Sequence, residues 1–294
     1  MTPRPGPSRV REAWERRPLR LAVAAAAPVL AAVAFGLTTP RGPLTAAEGL
    51  ASLLAGLTVG WLAGFALRSR WAMLAAPVLF AAVFELVRLG TDGPTVDAIH
   101  LSPYGLIAFV TGRGVHGLLV LLPMLLGAAL GAGAARRAAR AAQRRRPSAG
   151  LITRRTVAAL TGVALVGLAV LVARPASTDP ITGPDGAPLA GSIAELTRVE
   201  IGGHDLALML RGRDTGSPVA LFLAGGPGGS ELGAMRLHLE ALERDVVMAT
   251  FDQRGAGKSY AQLDPAQTLT LDRAVTDVIE VSEYLRERFG QDRI

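Results

Sequence analysis

Long apolar runs broken by arginine clusters constrain this chain more than any other feature. Uncharged or nearly uncharged stretches occupy about residues 21–37, 45–67, 71–87, 115–133 and 156–173, each about 17–23 residues long. A helix of about that length crosses a hydrocarbon core of ~30 Å. The composition agrees with lipid-embedded helices. Half of the residues are hydrophobic and 19% are charged, against about 25% charged in an average soluble domain.

The net charge of +7 first suggests a nucleic-acid partner, but its distribution excludes one. Arginines gather at residues 4–20 and 136–155, on the flanks of the apolar runs, where membrane-flanking charge belongs. The basic segment 1–20 (Arg4, Arg9, Arg11, Arg16, Arg17, Arg20) is placed in the cytoplasm. Arg68 and Arg70 return to that side, and so does the cluster from Arg136 to Arg155. The short Thr38–Leu44 loop and the loop around 88–103, with Asp92 and Asp97, fall outside. About five spans over 21–174 satisfy this alternation, making the lipid bilayer a partner and setting everything after 174 outside the cytoplasm. Further spans follow the first, so it is not read as a cleaved signal peptide. Arg16-Arg17 is followed by Pro18-Leu19, a poor twin-arginine export signal.

No cysteine is present, which removes disulfides, thiolate metal sites and cysteine nucleophiles. The four histidines, His100, His116, His204 and His238, have no metal-ligand spacing. No metal and no cofactor is expected. Gly56, Gly60 and Gly64 in the second run, and Gly127 and Gly131 in the fourth, stand at the spacing that lets helices approach closely. Pro123 should kink the fourth run. Glu85 and Arg88, one turn apart, and Arg113 and His116 lie near the outer ends of spans, where interfacial pairing accounts for them. A transporter would place charge at mid-membrane.

Residues 175–192 (PASTDPITGPDGAPLAGS) lack periodicity and read as an extended linker. Beyond it, Ile193–Gly202 and His204–Arg211 read as a hairpin turning at Gly202-Gly203. Val219–Leu223 is a strand that empties into Gly225-Gly226-Pro227-Gly228-Gly229. Apolar residues at helical spacing predict a helix over Glu231–Glu243, with Ser230 opening it. Val246–Phe251 is a buried strand ending at Asp252-Gln253-Arg254-Gly255. Leu271–Phe289 is a helix with Ala274, Val275, Val278, Val281 and Leu285 on one face, and Gly290–Ile294 looks like a turn entering another strand. Two strands with glycine-rich exits and a helix between them make a βαβ unit.

The two glycine-rich exits resemble those of the α/β-hydrolase fold, in particular the prolyl-aminopeptidase-like serine hydrolases. Ala224-Gly225-Gly226-Pro227-Gly228 stands where that family has His-Gly-Gly-Pro-Gly, departing at Ala224. Asp252-Gln253-Arg254-Gly255-Ala256-Gly257-Lys258-Ser259 matches Asp-Gln-Arg-Gly-x-Gly-x-Ser at every fixed position. The resemblance covers about residues 193–294 and implies the N-terminal part of a mostly parallel α/β domain. Its function would be a serine hydrolase, aminopeptidase-like, taking a peptide or a small ester or amide. In this fold one oxyanion donor comes from the loop after the third strand; the resemblance assigns that backbone N–H to Gly226, then Gly225. Pro227 has no N–H to give, and Gly228 shapes the loop. Asp252, Arg254, Gly255 and Gly257 are read as scaffold, Asp252 pairing with Arg254 and the glycines taking unusual backbone angles.

Such enzymes also need a Gly-x-Ser-x-Gly elbow, an acid and a histidine in that order. No Gly-x-Ser-x-Gly occurs in the sequence, so nucleophile, acid and histidine are absent and this chain is expected to be inactive alone, a fragment of a longer hydrolase. Gly255-Ala256-Gly257-Lys258-Ser259 is not a phosphate-binding P-loop, because Asp252 stands where that pattern needs glycine and Pro265 interrupts the following helix. The alternatives are a catalytically inactive membrane-tethered binding module, and a membrane transporter or sensor.

Overall fold

The structure is a computed structural model that describes residues 17–39, 44–89, 101–140, 149–225, 229–262 and 269–294. Several expectations lie outside those residues: the arginines before Arg17, Asp92 and Asp97, Arg144–Arg146, and Gly226, Pro227 and Gly228. The side chains of Arg113 and His116 also lie outside. The chain divides into two compact units, Met1–Arg174 and Pro175–Ile294.

The first unit is helical: α1 (Arg17–Thr38), α2 (Ala46–Leu67), α3 (Ala72–Val87), α4 (Pro103–Arg140) and α5 (Ala149–Ala173). Among the described residues of this unit, four stretches are long and apolar enough to cross a membrane: Arg17–Thr38, Ala46–Leu67, Gly117–Ala138 and Arg155–Ala173. The 16-residue α3 is shorter, about 24 Å at 1.5 Å per residue. Local sequence sets the helix starts. Thr45 and Glu48 form a capping box: Glu48 N–H donates to Thr45 Oγ1 at 3.2 Å, and Thr45 N–H to Glu48 Oε2 at 2.8 Å. At α4, Gly105 N–H donates to Ser102 Oγ at 3.1 Å, and Pro103 occupies the first turn, where its missing N–H costs nothing. That cap starts α4 well before the apolar run at 115.

The α2–α4 pair closes without intervening side chains. A Cβ added at Gly56, Gly60 or Gly64 would meet the backbone of Val120, Met124 or Ala128, within 3.3, 2.8 and 2.8 Å of their Cα atoms. Reciprocally, Gly127 and Gly131 lie against the backbone of Leu57, Trp61 and Phe65. All five glycines face the partner helix, so the spacing read from the sequence is a real packing seam. Beside it, Ala32, Ala63, Ala76, Phe80, Phe84, Val120 and Met124 form the buried core, with Phe35 edge-on to Phe80 at 5.9 Å. Arg88 is buried: it donates to the Thr39 carbonyl at 3.0 Å and lies over the Phe84 ring. By contrast, α5 exposes Leu160, Val163, Val166 and Val170, and none of its apolar window is buried. A helix apolar on all sides suits a lipid surrounding.

The second unit is a small mixed sheet with strand order β1-β2-β4-β3: β1 (Ile193–Ile201), β2 (His204–Gly212), β3 (Val219–Phe222) and β4 (Val247–Phe251). β1 and β2 are antiparallel and joined by Gly202-Gly203, with φ of 55° and 75°. That sign at both central residues defines the hairpin turn for which glycine is preferred. β4 lies between β2 (antiparallel) and β3 (parallel) and is buried along its whole length, which is why its sequence does not alternate. One face carries Leu206, Leu208, Leu210, Val247, Ala249 and Phe251 under Val281 and Leu285 of α7 (Leu271–Phe289). The other carries Ala207 and Met209 under Leu232 of the short helix α6 (Leu232–His238).

Three expectations are corrected. The helix over 231–243 is only α6, followed by a 3₁₀ turn at Leu242–Arg244. Glu243 lies in that turn and pairs with Arg211, whose Nε and Nη2 reach its carboxylate at 2.6 and 3.2 Å, both residues being buried. The linker 175–192 is instead folded onto the sheet unit. Thr182 bridges Pro188, Leu189 N–H donates to the Ile181 carbonyl at 2.8 Å, and Ile181 is buried. Arg211 Nη1 also donates to Thr178 Oγ1 at 2.6 Å and to the Asp179 carbonyl at 2.7 Å. Finally, Gly290–Ile294 turns but enters no strand among the described residues. Gln291 instead accepts from Val219 N–H at 3.1 Å and donates to the Ser217 carbonyl at 2.8 Å, holding the entry of β3.

Candidate functional site

β3 and β4 run parallel, so their C-terminal ends deliver Ala224-Gly225 and the Asp252–Ser259 loop to one edge of the sheet. In open α/β sheets that edge is where ligands bind. The two loops are tied directly: Gln253 Nε2 donates to the Ala224 carbonyl at 3.1 Å. Gly225 is exposed, and a Cβ there would meet nothing within 4 Å. Gly226, Pro227 and Gly228, the rest of that loop's expected site, lie outside the described residues.

The second loop is held from several sides. Asp252 is buried. Its N–H donates to the Ala207 carbonyl at 2.9 Å, and its Oδ2 accepts from Lys258 N–H at 2.7 Å. Its Oδ1 is buried with no hydrogen-bond partner among the described residues. Asp252 does not pair with Arg254, which corrects the expected ion pair. Arg254 is buried and makes a two-toothed contact with Asp277 of α7, Nε to Oδ2 at 3.1 Å and Nη2 to Oδ1 at 2.9 Å, and also reaches the Ile201 carbonyl. The reason is positional: α7 presents the Asp277 carboxylate to two guanidinium nitrogens, while the Asp252 carboxylate accepts from Lys258 N–H in its own loop.

Gly255 and Gly257 have φ of 79° and 45°, in the left-handed region that favours glycine. A Cβ at Gly257 would collide with the Asp252 carboxylate and come within 2.6 Å of Ser230 Cβ. Ser230, exposed, therefore stands beside the second loop. Ser259 is fully buried, and its Oγ accepts from Ala207 N–H at 2.9 Å. Arg198 Nη2 donates to the Lys258 carbonyl at 2.9 Å. Asp252 already takes the Lys258 N–H that a phosphate would need.

Asp277 also accepts from Arg273 Nε at 2.8 Å, and Arg273 reaches Glu280 at 2.9 Å. Glu280 in turn accepts from Gly202 N–H. The hydrogen bond to Asp277 raises the Arg273 pKa above its ordinary value, against a smaller lowering by burial. Sequence reading missed this cluster because α7 was read for its apolar face. The spacing of Arg273, Asp277 and Glu280, four and three residues apart, was the available signal. Among the described residues no group of three or more His, Asp or Glu could hold a metal.

No protein-family model matches the chain, and no solved structure matches it. A curated relative, the probable aminopeptidase YbaC of Bacillus subtilis (strain 168), is 33% identical over 107 residues, 36% of this chain and 34% of the relative. The chain spans about a third of that relative's length.

Proposed function

We propose that the sheet unit is the N-terminal part of an α/β-hydrolase domain of aminopeptidase type, tethered to a membrane through the helical unit and held outside the cytoplasm. The observation that carries this reading is the Gln253–Ala224 hydrogen bond, which joins the two motif loops at the C-terminal edge of the parallel pair. The relative's name supports the peptidase class. Acyl transfer builds negative charge on a carbonyl oxygen, and backbone N–H groups aimed at that oxygen lower the barrier. Gly226 and Gly225 are assigned that task, on the loop between β3 and α6 where this fold supplies one donor. The Asp252–Ser259 loop acts as a buttress that fixes Ala224. The substrate is a peptide N-terminus or a small ester or amide.

The sequence contains no Gly-x-Ser-x-Gly, so a fluorophosphonate probe is expected to leave the 294-residue chain unlabelled. Reading the gene past codon 294 tests the assignment. A following strand with Gly-x-Ser-x-Gly, then an acid and a histidine, yields a product that should hydrolyse prolyl nitroanilides. Gly226→Pro should lower its kcat by about 10²–10³, the effect of losing one oxyanion donor. A stop codon there, or specific labelling of Ser230 or Ser259, overturns the hydrolase reading. The missing elbow favours a second reading in that case, a membrane-tethered binding module.

A further inference from the structure

At one end of the helical unit, the start of α1, the end of α2 and the turn into α3 enclose an open cavity of about 280 Å³. Its polar lining is Arg17, Arg20 and Ser69, and Leu21, Ala66, Leu67 and Trp71 complete it. Arg20 Nε is buried there with no hydrogen-bond partner among the described residues. Leu21 and Leu67 also line a second cavity of about 160 Å³, walled by Ala25, Ala63, Ala75 and Leu79 and almost wholly apolar. An arginine-lined chamber and an alkyl-lined groove between three helices therefore adjoin, sharing Leu21 and Leu67 in their walls.

Among the described residues, the charge around the chamber is of one sign. Arg17 and Arg20 line it, and Arg68 and Arg70 lie on the adjoining turn. The described carboxylates of this unit are Glu48 and Glu85, at the opposite ends of α2 and α3. Glu48 is about 28 Å along the α2 axis from Leu67. Basic pockets at the ends of membrane helices suit anionic head groups, and an exposed tryptophan such as Trp71 suits the interfacial layer.

We propose that this composite cavity is a binding site for an anionic glycerophospholipid, its phosphate held by Arg17 and Arg20 and one acyl chain laid along the alanine-walled groove. The chemistry of the two compartments selects the occupant. A free phosphate would leave the groove empty, and a zwitterionic lipid would bring its own cation to a chamber already positive. The proposal rests on the membrane reading of the helical unit.

The test is native mass spectrometry of the full chain in detergent, titrated with phosphatidylglycerol, phosphatidylcholine or glycerol 3-phosphate. Phosphatidylglycerol should bind about tenfold or more tightly than phosphatidylcholine, and the double substitution Arg17→Gln/Arg20→Gln should abolish that preference. Ala25→Leu/Ala75→Leu, which fills the groove and leaves the arginines, should weaken phosphatidylglycerol to the level of glycerol 3-phosphate. Equal binding of the two lipids by the unaltered chain overturns the site whether or not any variant folds. So does binding of glycerol 3-phosphate as tight as that of phosphatidylglycerol, which would mark an anion site only. Co-sedimentation with vesicles of phosphatidylcholine alone separates the two claims: its failure overturns the membrane reading, whereas its success with no head-group preference overturns only the site.

Discussion

Arg211 illustrates how much one side chain of the sheet unit carries. Its guanidinium is buried, two-toothed on Glu243 and hydrogen-bonded to Thr178 and the Asp179 carbonyl. Removing one partner from such a pair leaves a charge without compensation in a desolvated place. Glu243→Ala should therefore lower unfolding stability by about 3–5 kcal/mol, read by denaturant unfolding of residues 175–294 within the full chain. A loss under 1 kcal/mol would mean that water reaches Arg211. Gly257 is the second test at this scale. Its φ of 45° and its closeness to Asp252 and Ser230 leave no place for a methyl group. Gly257→Ala should cost about 1–3 kcal/mol and release the Lys258 N–H from Asp252, a change visible in its amide proton shift.

Among the elements, the α2–α4 seam is the sharpest case, because its glycines meet backbone rather than side chains that could move aside. Gly60→Leu should separate the two helices and lower thermal stability in detergent, by about 1–3 kcal/mol or more as overpacking does. The same substitution at Gly167 on α5, where an added Cβ meets nothing within 4 Å, should leave the melting temperature unchanged. The apolar runs, the glycine spacing, the hairpin and α7 were legible in the sequence because period and length are local properties. The glycine pair at 202–203 named its own turn. What could not be read was decided by distant partners. Glu243 pairs with Arg211, which also bonds Thr178 and the Asp179 carbonyl of 175–192, and Arg254 pairs with Asp277 rather than Asp252. In the second loop, Gly255 and Gly257 take the positive φ that glycine allows. The carboxylate that holds Arg254 lay on a helix whose polar face carried no motif.

For the whole molecule, helices long and apolar enough to cross a bilayer stand in one unit and the mixed sheet in another. The arginine distribution orients the proposed arrangement. Protease added outside sealed cells is expected to remove residues beyond about 175 and to spare the helical unit; full protection of the sheet unit would reverse the assigned sidedness. One feature of the sheet unit bears on how a site there could move. Arg254 grips α7 and the end of β1 at once, while Asp252 and Ser259 are bonded to Ala207 in β2. A loop so fastened opens only when the sheet opens, so the amides of Asp252 and Lys258 should exchange with deuterium as slowly as those of β4. In the proposed hydrolase site the Asp252–Ser259 loop is then a fixed wall, and whatever enters has to leave that wall in place.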